Sequence, residues 1–445
     1  MFKKYSEYKD SGVEWLGEVP ENWVVKKMKF LGFIYPGLSG KKGDDFSKEY
    51  QEEFKYFIPF TNICNNPKIS LGQYQYVKIN EGELQNKVRK DDILFLMSSE
   101  TLEEIAKCSI YLGNDQELYL NSFCKGFRII DSNALPEFIN YLLTSSTYRS
   151  YFSLVGRGFT RINLKQEYIN DAFVPLPSRK EQTAIANFLD RKTAQIDQAV
   201  SIKEKQIELL KERRQILIHN AVTRGLDLDV KMKNSGVEWI GEIPEHWEIQ
   251  PIKYLLNGVV DCEHSTAPFV DDPTYFVVRT SNVKSGNLTL EDAKYTHEKG
   301  YLRWTRRGVP EPGDILLTRE APAGEACLVP SDMKICLGQR MVWLKVDKAK
   351  LDSKLAIHLI YSKMIRTYID FLSSGSTVLH FNMSDINNIP ITLMPIEEQI
   401  RIREYIESHS QKIATAISLK QKEIEKLKEY KSTLINSAVT GKIKV

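Results

Sequence analysis

The sequence lacks the common signatures of catalytic and metal-binding proteins. It has no Gly-x-x-x-x-Gly-Lys-Ser/Thr phosphate loop, no His-Glu-x-x-His pair and no Pro-Pro dipeptide. The first two absences argue against a P-loop nucleotide site and a zincin-type metal site. The third argues against the Asn/Asp-Pro-Pro-aromatic turn with which adenine methyltransferases hold their target amino group. We therefore expect a chain that is not an enzyme on its own.

Cysteines are few and scattered, and long apolar runs are absent. The six cysteines form no Cys-x-x-Cys pair, which argues against a zinc ribbon or a disulfide framework and suits a reducing compartment. No stretch reaches the roughly 18 apolar residues of a membrane span. The opening residues MFKKY do not resemble the apolar run of a signal peptide. We therefore expect a cytoplasmic protein.

Net charge is also small. The 61 basic and 58 acidic residues give a formal charge of only +3, so any case for nucleic-acid binding must rest on local clusters. The length of 445 residues and the hydrophobic content of 42% are sufficient for two or three globular domains.

The chain contains an internal duplication. Residues 11–23, SGVEWLGEVPENW, return as residues 235–247, SGVEWIGEIPEHW. Chance does not plausibly give such a match, so the repeat is a strong signal. We expect its tryptophans, glycines and prolines to form a packed opening turn in each copy rather than to bind a ligand.

The two copies differ in length only in their front halves. The strand motif Asp-Ile-Leu at 92–94 returns at 314–316, and from residues 120 and 337 onward the copies align at one constant offset. The back of each copy therefore has the properties of a fixed scaffold, whereas the front carries loops of variable length. Binding specificity is usually arranged in this way.

The patterns predict an α+β fold for each copy. Strands are predicted at 56–63, 93–97, 126–130, 275–283, 315–318 and 341–346. Amphipathic helices are predicted at 136–152 and 353–372. The predicted division of the chain is a first domain at 1–176, a long helix at 177–225, a linker at 226–234, a second domain at 235–394 and a second long helix at 395–445.

Each long helix carries an apolar stripe with the spacing of a coiled coil. The first stripe comprises Ile196, Val200, Ile207, Leu210, Leu217 and Ala221, and Lys203 and Arg214 interrupt it. The second comprises Ile413, Ile417, Ile424, Leu427, Leu434 and Ala438, and Lys420 and Lys431 interrupt it at matching places. The stripe could pack against its own copy or against a second chain. The equal lengths and matched interruptions favour a pair within the chain, but they do not decide between parallel and antiparallel packing.

A second apolar set lies near the start of each helix. It comprises Ile185, Phe188 and Leu189 in the first copy, and Ile402, Tyr405 and Ile406 in the second. These residues could be core beneath the globular block or a docking face for another protein, and the sequence leaves both open.

Basic and polar residues cluster in both copies and are the candidates for DNA contact. In the first copy they are Lys87, Arg89, Lys90, Arg157, Thr160, Arg161 and Asn163. In the second they are Arg279, Arg303, Arg306, Arg307, Thr318, Arg319, Thr377 and His380. A single basic cluster is most often a solvated face. Clusters that precede the Asp-Ile-Leu strand in both copies favour DNA binding, because arginine pairs with guanine edges or clamps phosphates.

The chain resembles the DNA specificity subunit of a Type I restriction–modification system over nearly its whole length. The resemblance rests on the paired SGVEW(L/I)GE(V/I)PExW segments, the paired Asp-Ile-Leu strands and the paired helices that end in Ala-Val-Thr at 221–223 and 438–440. It implies two tandem, pseudo-symmetric α+β target-recognition domains. It also implies that the two long helices pack as an antiparallel coiled coil.

The resemblance further implies a function and partners. Each domain would read one half of a bipartite, asymmetric site in double-stranded DNA, and the helices would set the spacer and dock two methyltransferase subunits. A restriction/translocase subunit would join them. S-adenosylmethionine, ATP and Mg would be bound by these partners and not by this chain. Two other classes stay open, namely a free-standing DNA-binding regulator that dimerises through its helices and a scaffold protein without a DNA role.

Overall fold

The computed structural model describes residues 2–114, 117–158, 161–320, 322–373 and 381–445. The chain divides into two compact units. The first unit consists of Met1–Lys203 and Lys422–Val445, and the second of Glu204–Gln421. Each unit thus combines one globular block with parts of both long helices.

The first unit contains two four-stranded sheets, smaller two-stranded pairings and short helices. Its strands are β1 (Tyr8–Asp10), β2 (Glu18–Pro20), β3 (Val24–Lys27), β4 (Gly32–Pro36), β5 (Phe46–Ser47), β6 (Phe54–Ile58), β7 (Gln75–Lys78), β8 (Ile93–Leu96), β9 (Ser98–Ser99), β10 (Cys108–Ile110), β11 (Leu118–Leu120), β12 (Cys124–Ile129), β13 (Ile162–Asn163) and β14 (Phe173–Leu176). Its helices are α1 (Phe60–Asn65), α2 (Pro136–Thr144), α3 (Ser146–Val155), α4 (Gln166–Asn170) and the start of α5 (Arg179–Arg224).

The central sheet of the first unit has the order β10-β8-β12-β4, and all of these pairs are antiparallel. All four residues of β8 are buried, which is why this strand is a continuous apolar run. A second sheet has the order β11-β6-β7-β5, and its strands β6 and β11 run parallel. The carboxyl ends of β6 and β11 therefore meet at one edge.

The second unit repeats this plan. Its strands are β15 (Met232–Asn234), β16 (Glu242–Pro244), β17 (Glu248–Pro251), β18 (Leu256–Asp261), β19 (Tyr275–Val278), β20 (Val283–Lys284), β21 (Asn287–Leu288), β22 (Lys294–Thr296), β23 (Ile315–Thr318), β24 (Ala326–Leu328), β25 (Lys334–Leu337), β26 (Met341–Val346) and β27 (Pro390–Leu393). Its helices are α6 (Glu298–Trp304), α7 (Ser353–Ile360), α8 (Lys363–Ser373), α9 (Met383–Asn387) and the start of α10 (Ile396–Val439). The central sheet is β18-β26-β23-β24, and β19 and β25 form the parallel pair.

The opening motif forms a packed turn in each unit, as predicted. Trp23 and Trp247 are fully buried. The indole Nε1 of Trp23 donates to Glu181 at 3.4 Å, and that of Trp247 donates to Glu398 at 3.1 Å. Both glutamates lie in the first turn of a long helix, where a carboxylate also suits the helix dipole. The motif therefore fastens the block to its helix.

The two long helices pack antiparallel within the chain. In the first unit, Lys203 is 2.5 Å from Glu423, and Lys431 is 2.7 Å from Asp197. In the second unit, the Nε of Arg214 donates to Ser410 at 3.3 Å. In the first unit, advancing along α5 from Asp197 to Lys203 means moving backwards along α10 from Lys431 to Glu423. These contacts settle the orientation that the stripe alone left open.

The predicted stripes form the seam between the helices. Its most buried members, with at most 9% of their surface exposed, are Ile196, Val200, Ile207, Ala221, Ile413, Ile424, Leu434 and Ala438. Of the interruptions, Lys203, Lys431 and Arg214 find polar partners on the other helix. Among the described helices, none has both the length and the apolar composition required to cross a bilayer.

Candidate nucleic-acid interface

A buried aspartate marks the start of the central strand in the first unit. Asp92 is 1% exposed. It accepts hydrogen bonds from Tyr35 Oη at 2.6 Å, from Arg128 Nε at 2.9 Å and from Arg128 Nη2 at 2.7 Å. Burial and the nearby Asp92 carboxylate raise the pKa of Tyr35, so the phenol remains a donor. The hydrogen bond to Asp92 raises the pKa of Arg128. Arg128 is thus committed to the interior carboxylate.

The corresponding aspartate of the second unit is held differently. Asp314 accepts from the indole Nε1 of Trp343 at 2.7 Å and from the backbone N–H of Val346 at 3.0 Å. No arginine contact to it is found within the described residues. Both aspartates satisfy buried donors, which is a structural role.

The first predicted basic cluster borders a groove beside Asp92. Lys87 pairs with Glu117 at 3.1 Å, whereas Arg89 and Lys90 are exposed and have no ion pair among the described residues. Arg89 and Lys90 line a groove of about 400 Å³ together with Arg128 and Arg179. Arg179 donates to the carbonyls of Ser132 and Ala134. Asp91, Asp92 and Asp131 line the same groove, so the cations that suit contact with a phosphate are the exposed Arg89 and Lys90.

The second predicted cluster of the first unit lies where the central strand ends. Asn163 belongs to β13, which pairs with β9 just beyond β8. Arg161 is exposed, and its guanidinium carbon lies 5.0 Å from the centre of the Phe123 ring. Arg157 donates to the carbonyls of Leu154 and Gly156. Thr160 falls outside the described residues.

The two clusters of the first unit do not form one surface. Arg89 adjoins the beginning of β8, and Arg161 adjoins its end. A strand of four residues separates these levels by about 13 Å. The cluster at 87–90 and the cluster at 157–163 therefore occupy opposite ends of the central sheet.

In the second unit, Arg306 and Arg307 lie at one end of the central sheet. In the first unit, the cluster at 87–90 lies at the opposite end. Arg306 pairs with Glu263 at 2.8 Å, and Arg307 donates to the carbonyl of Asp261 at 3.0 Å. Asp261 ends β18 and lies opposite Val342, at the level where β23 finishes. Both clusters precede an Asp-Ile-Leu strand in the sequence, but they lie at different ends of the central sheets. Contacts with Glu263 and Asp261 hold Arg306 and Arg307 at the end where β18 finishes.

Two predicted DNA contacts of the second unit are interior residues. Thr318 is fully buried, accepts from the backbone N–H of Glu325 and donates to the carbonyl of Pro322. Arg319 is 8% exposed; its Nη1 lies 2.9 and 2.8 Å from the two oxygens of Asp261, and its Nε donates to the carbonyl of Phe381 at 2.9 Å. Both predictions are corrected, because these groups are committed to partners within the unit.

The remaining predicted residues of the second unit have mixed settings. Arg303 is exposed and lies against the ring of Trp304 at 4.9 Å. Arg279 pairs with Asp292 at 3.0 Å. Its Nε is buried and has no hydrogen-bond partner within the described residues. Thr377 and His380 fall outside the part of the chain that the structure describes.

Most of the predicted docking residues are core. Fully buried residues in this set are Ile185, Leu189, Ile402 and Ile406. They cannot form an accessible docking face, because the globular block of their own unit covers them. Phe188 is partly exposed and contacts the ring of Phe2 at 5.6 Å, and Tyr405 is 36% exposed. These two remain candidates for docking.

Comparisons with known proteins identify the family. A profile of the Type I restriction modification DNA specificity domain matches residues 20–211 and again residues 256–429. This chain belongs to that family. The putative type I restriction enzyme MjaX specificity subunit of Methanocaldococcus jannaschii is 28% identical over 448 residues, which cover 97% of this chain and 96% of that protein. The EcoKI specificity subunit of Escherichia coli is 23% identical, with coverage of 88% and 82%.

Solved structures share the fold. A chain from work on complex assembly and conformational transition of the type I R-M system has a TM-score of 0.72 at 13% identity, with coverage of 95% and 98%. The HsdS subunit from Thermoanaerobacter tengcongensis has a TM-score of 0.56 at 14% identity, with coverage of 96% and 98%. The two-domain, two-helix plan of this specificity-family chain is therefore the plan of known specificity subunits.

Sequence reasoning missed several exposed residues of this specificity-family chain. Phe60 and Phe123 are 45% and 48% exposed, and with Arg161 they line a cavity of about 220 Å³. In the second unit, Gln339 and Arg340 were also missed, and both are exposed. The sequence does contain a signal for these residues. Residues 121–123, Asn-Ser-Phe, align with residues 338–340, Gly-Gln-Arg, at the constant offset, but the side chains differ completely in chemical character.

Proposed function

We propose that this chain is the sequence-specific DNA-recognition subunit of a Type I restriction–modification complex. Family membership supports the proposal. The observation that carries it further is the combination of two α+β units of one topology, with different exposed side chains, on a single pair of antiparallel helices. Two unlike readers on one frame suit a split, asymmetric target.

Each unit would read one half of the site, and the helix pair would set the unspecified spacer. Family resemblance supports this division of labour. The seam supports it physically, because ion pairs such as Lys203–Glu423 and Lys431–Asp197 fix the register of the two helices. Polar groups at coiled-coil seams can fix register in this way.

The chemistry would come from partners. Two methyltransferase subunits would bind S-adenosylmethionine, and a restriction/translocase subunit would bind ATP and Mg. This chain would contribute recognition and no catalytic step. Phe188 and Tyr405, which lie near the helix starts with part of their surface exposed, suit contact with the methyltransferases, because aromatic residues are enriched at protein interfaces.

Mapping of methylated adenines in host DNA tests the proposal. Strains with and without this chain are compared, with all partner subunits present. The proposal predicts methylation at one split site, and loss of that methylation without the chain. An unchanged methylation pattern would contradict it. Mass measurement with and without a methyltransferase, and a gel shift of the assembled complex, separate a free-standing regulator and a scaffold from the proposed subunit.

A further inference from the structure

In each unit, two parallel strands end side by side and release two turns at one edge. In the first unit, Ile58 of β6 lies opposite Leu120 of β11. In the second, Val278 of β19 lies opposite Leu337 of β25. Carboxyl ends of parallel strands are the usual place for ligand-binding loops, because several chain segments leave the sheet together there. We call these places the carboxyl edges of the two units.

The backbone at the two carboxyl edges is fastened in the same way. The N–H of Asn121 donates to the carbonyl of Ile58 at 3.1 Å, and the N–H of Gly338 donates to the carbonyl of Val278 at 2.8 Å. The same bond thus joins the two turns in each unit. The frame is common to both, and only the side chains that it carries differ.

The carboxyl edge of the first unit is aromatic. Phe60 and Phe123 keep nearly half of their surface exposed, and both lie in the wall of one cavity. Arg161 lies over the Phe123 ring. The cavity between them also has Glu100 and Ser98 in its wall. Exposed aromatic faces beside an arginine are suited to contact with nucleobases.

The carboxyl edge of the second unit is richer in polar groups, although the exposed Phe269 also lies in its wall. Arg279, Gln339 and Arg340 line a cavity of about 260 Å³. Arg340 holds a backbone φ of +67°, a conformation that costs free energy for a non-glycine residue and that occurs often at functional sites. Its side chain is largely exposed and pairs with Glu320 at 3.1 Å. The Nε of Arg279 is a buried donor without a partner in the described part of the chain.

From this pairing of a common frame with unlike side chains, we propose that the carboxyl edges are the base-reading surfaces. Phe60, Phe123 and Arg161 read the first half-site, and Arg279, Gln339 and Arg340 read the second. The inference rests on the proposed function and assigns it to residues. Phenylalanine contacts the methyl group of thymine, arginine pairs with the O6 and N7 of guanine, and glutamine pairs with the N6 and N7 of adenine. The second half-site therefore contains purines read by hydrogen bonds, whereas the first is read partly through thymine methyl groups.

The basic groove beside Asp92 then has a different role. Arg89 and Lys90 lie at the opposite end of the central sheet from Phe123. They line that groove with Arg128 and Arg179, and no matching basic cluster lies at the equivalent place in the second unit, where 311–313 is Glu-Pro-Gly. Their role is contact with phosphates, which positions the duplex and carries no base information.

Alanine variants of the complex test the assignment. The variants are Phe123→Ala in the first unit and Arg340→Ala in the second, each assembled with its methyltransferase subunits. Methylation is measured on a DNA library randomised in one half-site at a time. Matched controls are Phe33→Ala, an exposed phenylalanine on β4, and Lys334→Ala, at the other end of β25 from Arg340.

The expected result is loss of base discrimination by about 10- to 100-fold at one or two positions of one half-site. Phe123→Ala affects only the first half, and Arg340→Ala only the second; Phe123→Leu, which retains an apolar contact, retains most of the thymine preference. The controls match the wild type. Unchanged preferences in both alanine variants, or an equal loss over both halves, would overturn the assignment. A wild-type complex that methylates no split site would overturn the proposed function itself, which the variant data alone would not do.

Discussion

The Nζ of Lys431 on α10 lies 2.7 Å from both carboxylate oxygens of Asp197 on α5. Lys431 interrupts an otherwise apolar stripe, so an aliphatic residue in its place would pack the seam more simply. The ion pair explains why a lysine interrupts the apolar stripe: it fixes the register of the two helices rather than adding much stability. A slip of the helices would separate Lys431 from Asp197 and place its charge against apolar neighbours.

We predict a small coupling energy for this pair. The lysine side chain is 26% and the aspartate side chain 60% exposed, so solvent screens the attraction and the pair contributes about 0.2–1 kcal/mol. A double-mutant cycle of Lys431→Met and Asp197→Asn, followed by urea unfolding, measures the coupling. It should fall as salt rises. A coupling above about 2 kcal/mol, or one insensitive to salt, would contradict this view of the seam.

Arg319 gives a second prediction, which concerns stability rather than DNA. Arg319→Ala leaves the partly buried carboxylate of Asp261 without its guanidinium, and breaking such a pair costs about 3 kcal/mol. Urea unfolding measures the loss, and Arg303→Ala at an exposed position should cost less than about 0.5 kcal/mol.

The salt dependence of DNA binding distinguishes the two possible roles of Arg319. A phosphate contact would change the slope of log K against log salt by about one unit when it is removed. We expect the folded fraction of the Arg319→Ala complex to keep the wild-type slope. A reduced slope with unchanged stability would restore Arg319 to the DNA interface.

Two histidines of the second unit predict acid sensitivity. Burial lowers the pKa of His219 on α5 and of His358 on α7 below the ordinary 6.5. The unfolded chain therefore binds protons more readily than the folded chain, and stability falls as pH decreases from about 6.5 toward the folded-state pKa values. Urea midpoints at pH 7.5 and 5.5 measure the fall. Replacement of both histidines by glutamine should remove part of it, and an unchanged pH dependence would contradict the assignment.

Much of the fold follows from patterns in the sequence. The heptad stripes and the Asp-Ile-Leu strands depend on neighbours within a few residues, and the duplication appears when distant segments are compared, so these patterns predict two α+β copies with paired helices. The antiparallel direction of the helices came from the family resemblance. The details that failed also have local causes. The helix predicted at 136–152 breaks because Ser145 adopts an extended conformation and its hydroxyl bonds back to Leu142. The strand predicted at 56–63 ends at Ile58 because Pro59 caps the helix that begins at Phe60.

The candidate site was harder to predict because it depends on contacts between distant residues. Arg319 looks like a loop arginine, but its partner Asp261 is 58 residues away along the chain. Phe60 and Phe123 look like core residues, and only the placement of two turns at one edge leaves them exposed. No pattern in a single sequence reports which end of a sheet a cluster will occupy.

Shortening the helix pair and mapping the methylated sites tests most directly whether the helices set the spacer. Residues 207–213 and 413–419 lie opposite each other, because Lys203 faces Glu423 and Arg214 faces Ser410. Deleting both segments removes seven residues from each helix, about 10 Å of helix or roughly three base pairs. We expect the same two half-sites with a spacer shorter by about three base pairs. Altered half-sites with an unchanged spacer would contradict this expectation.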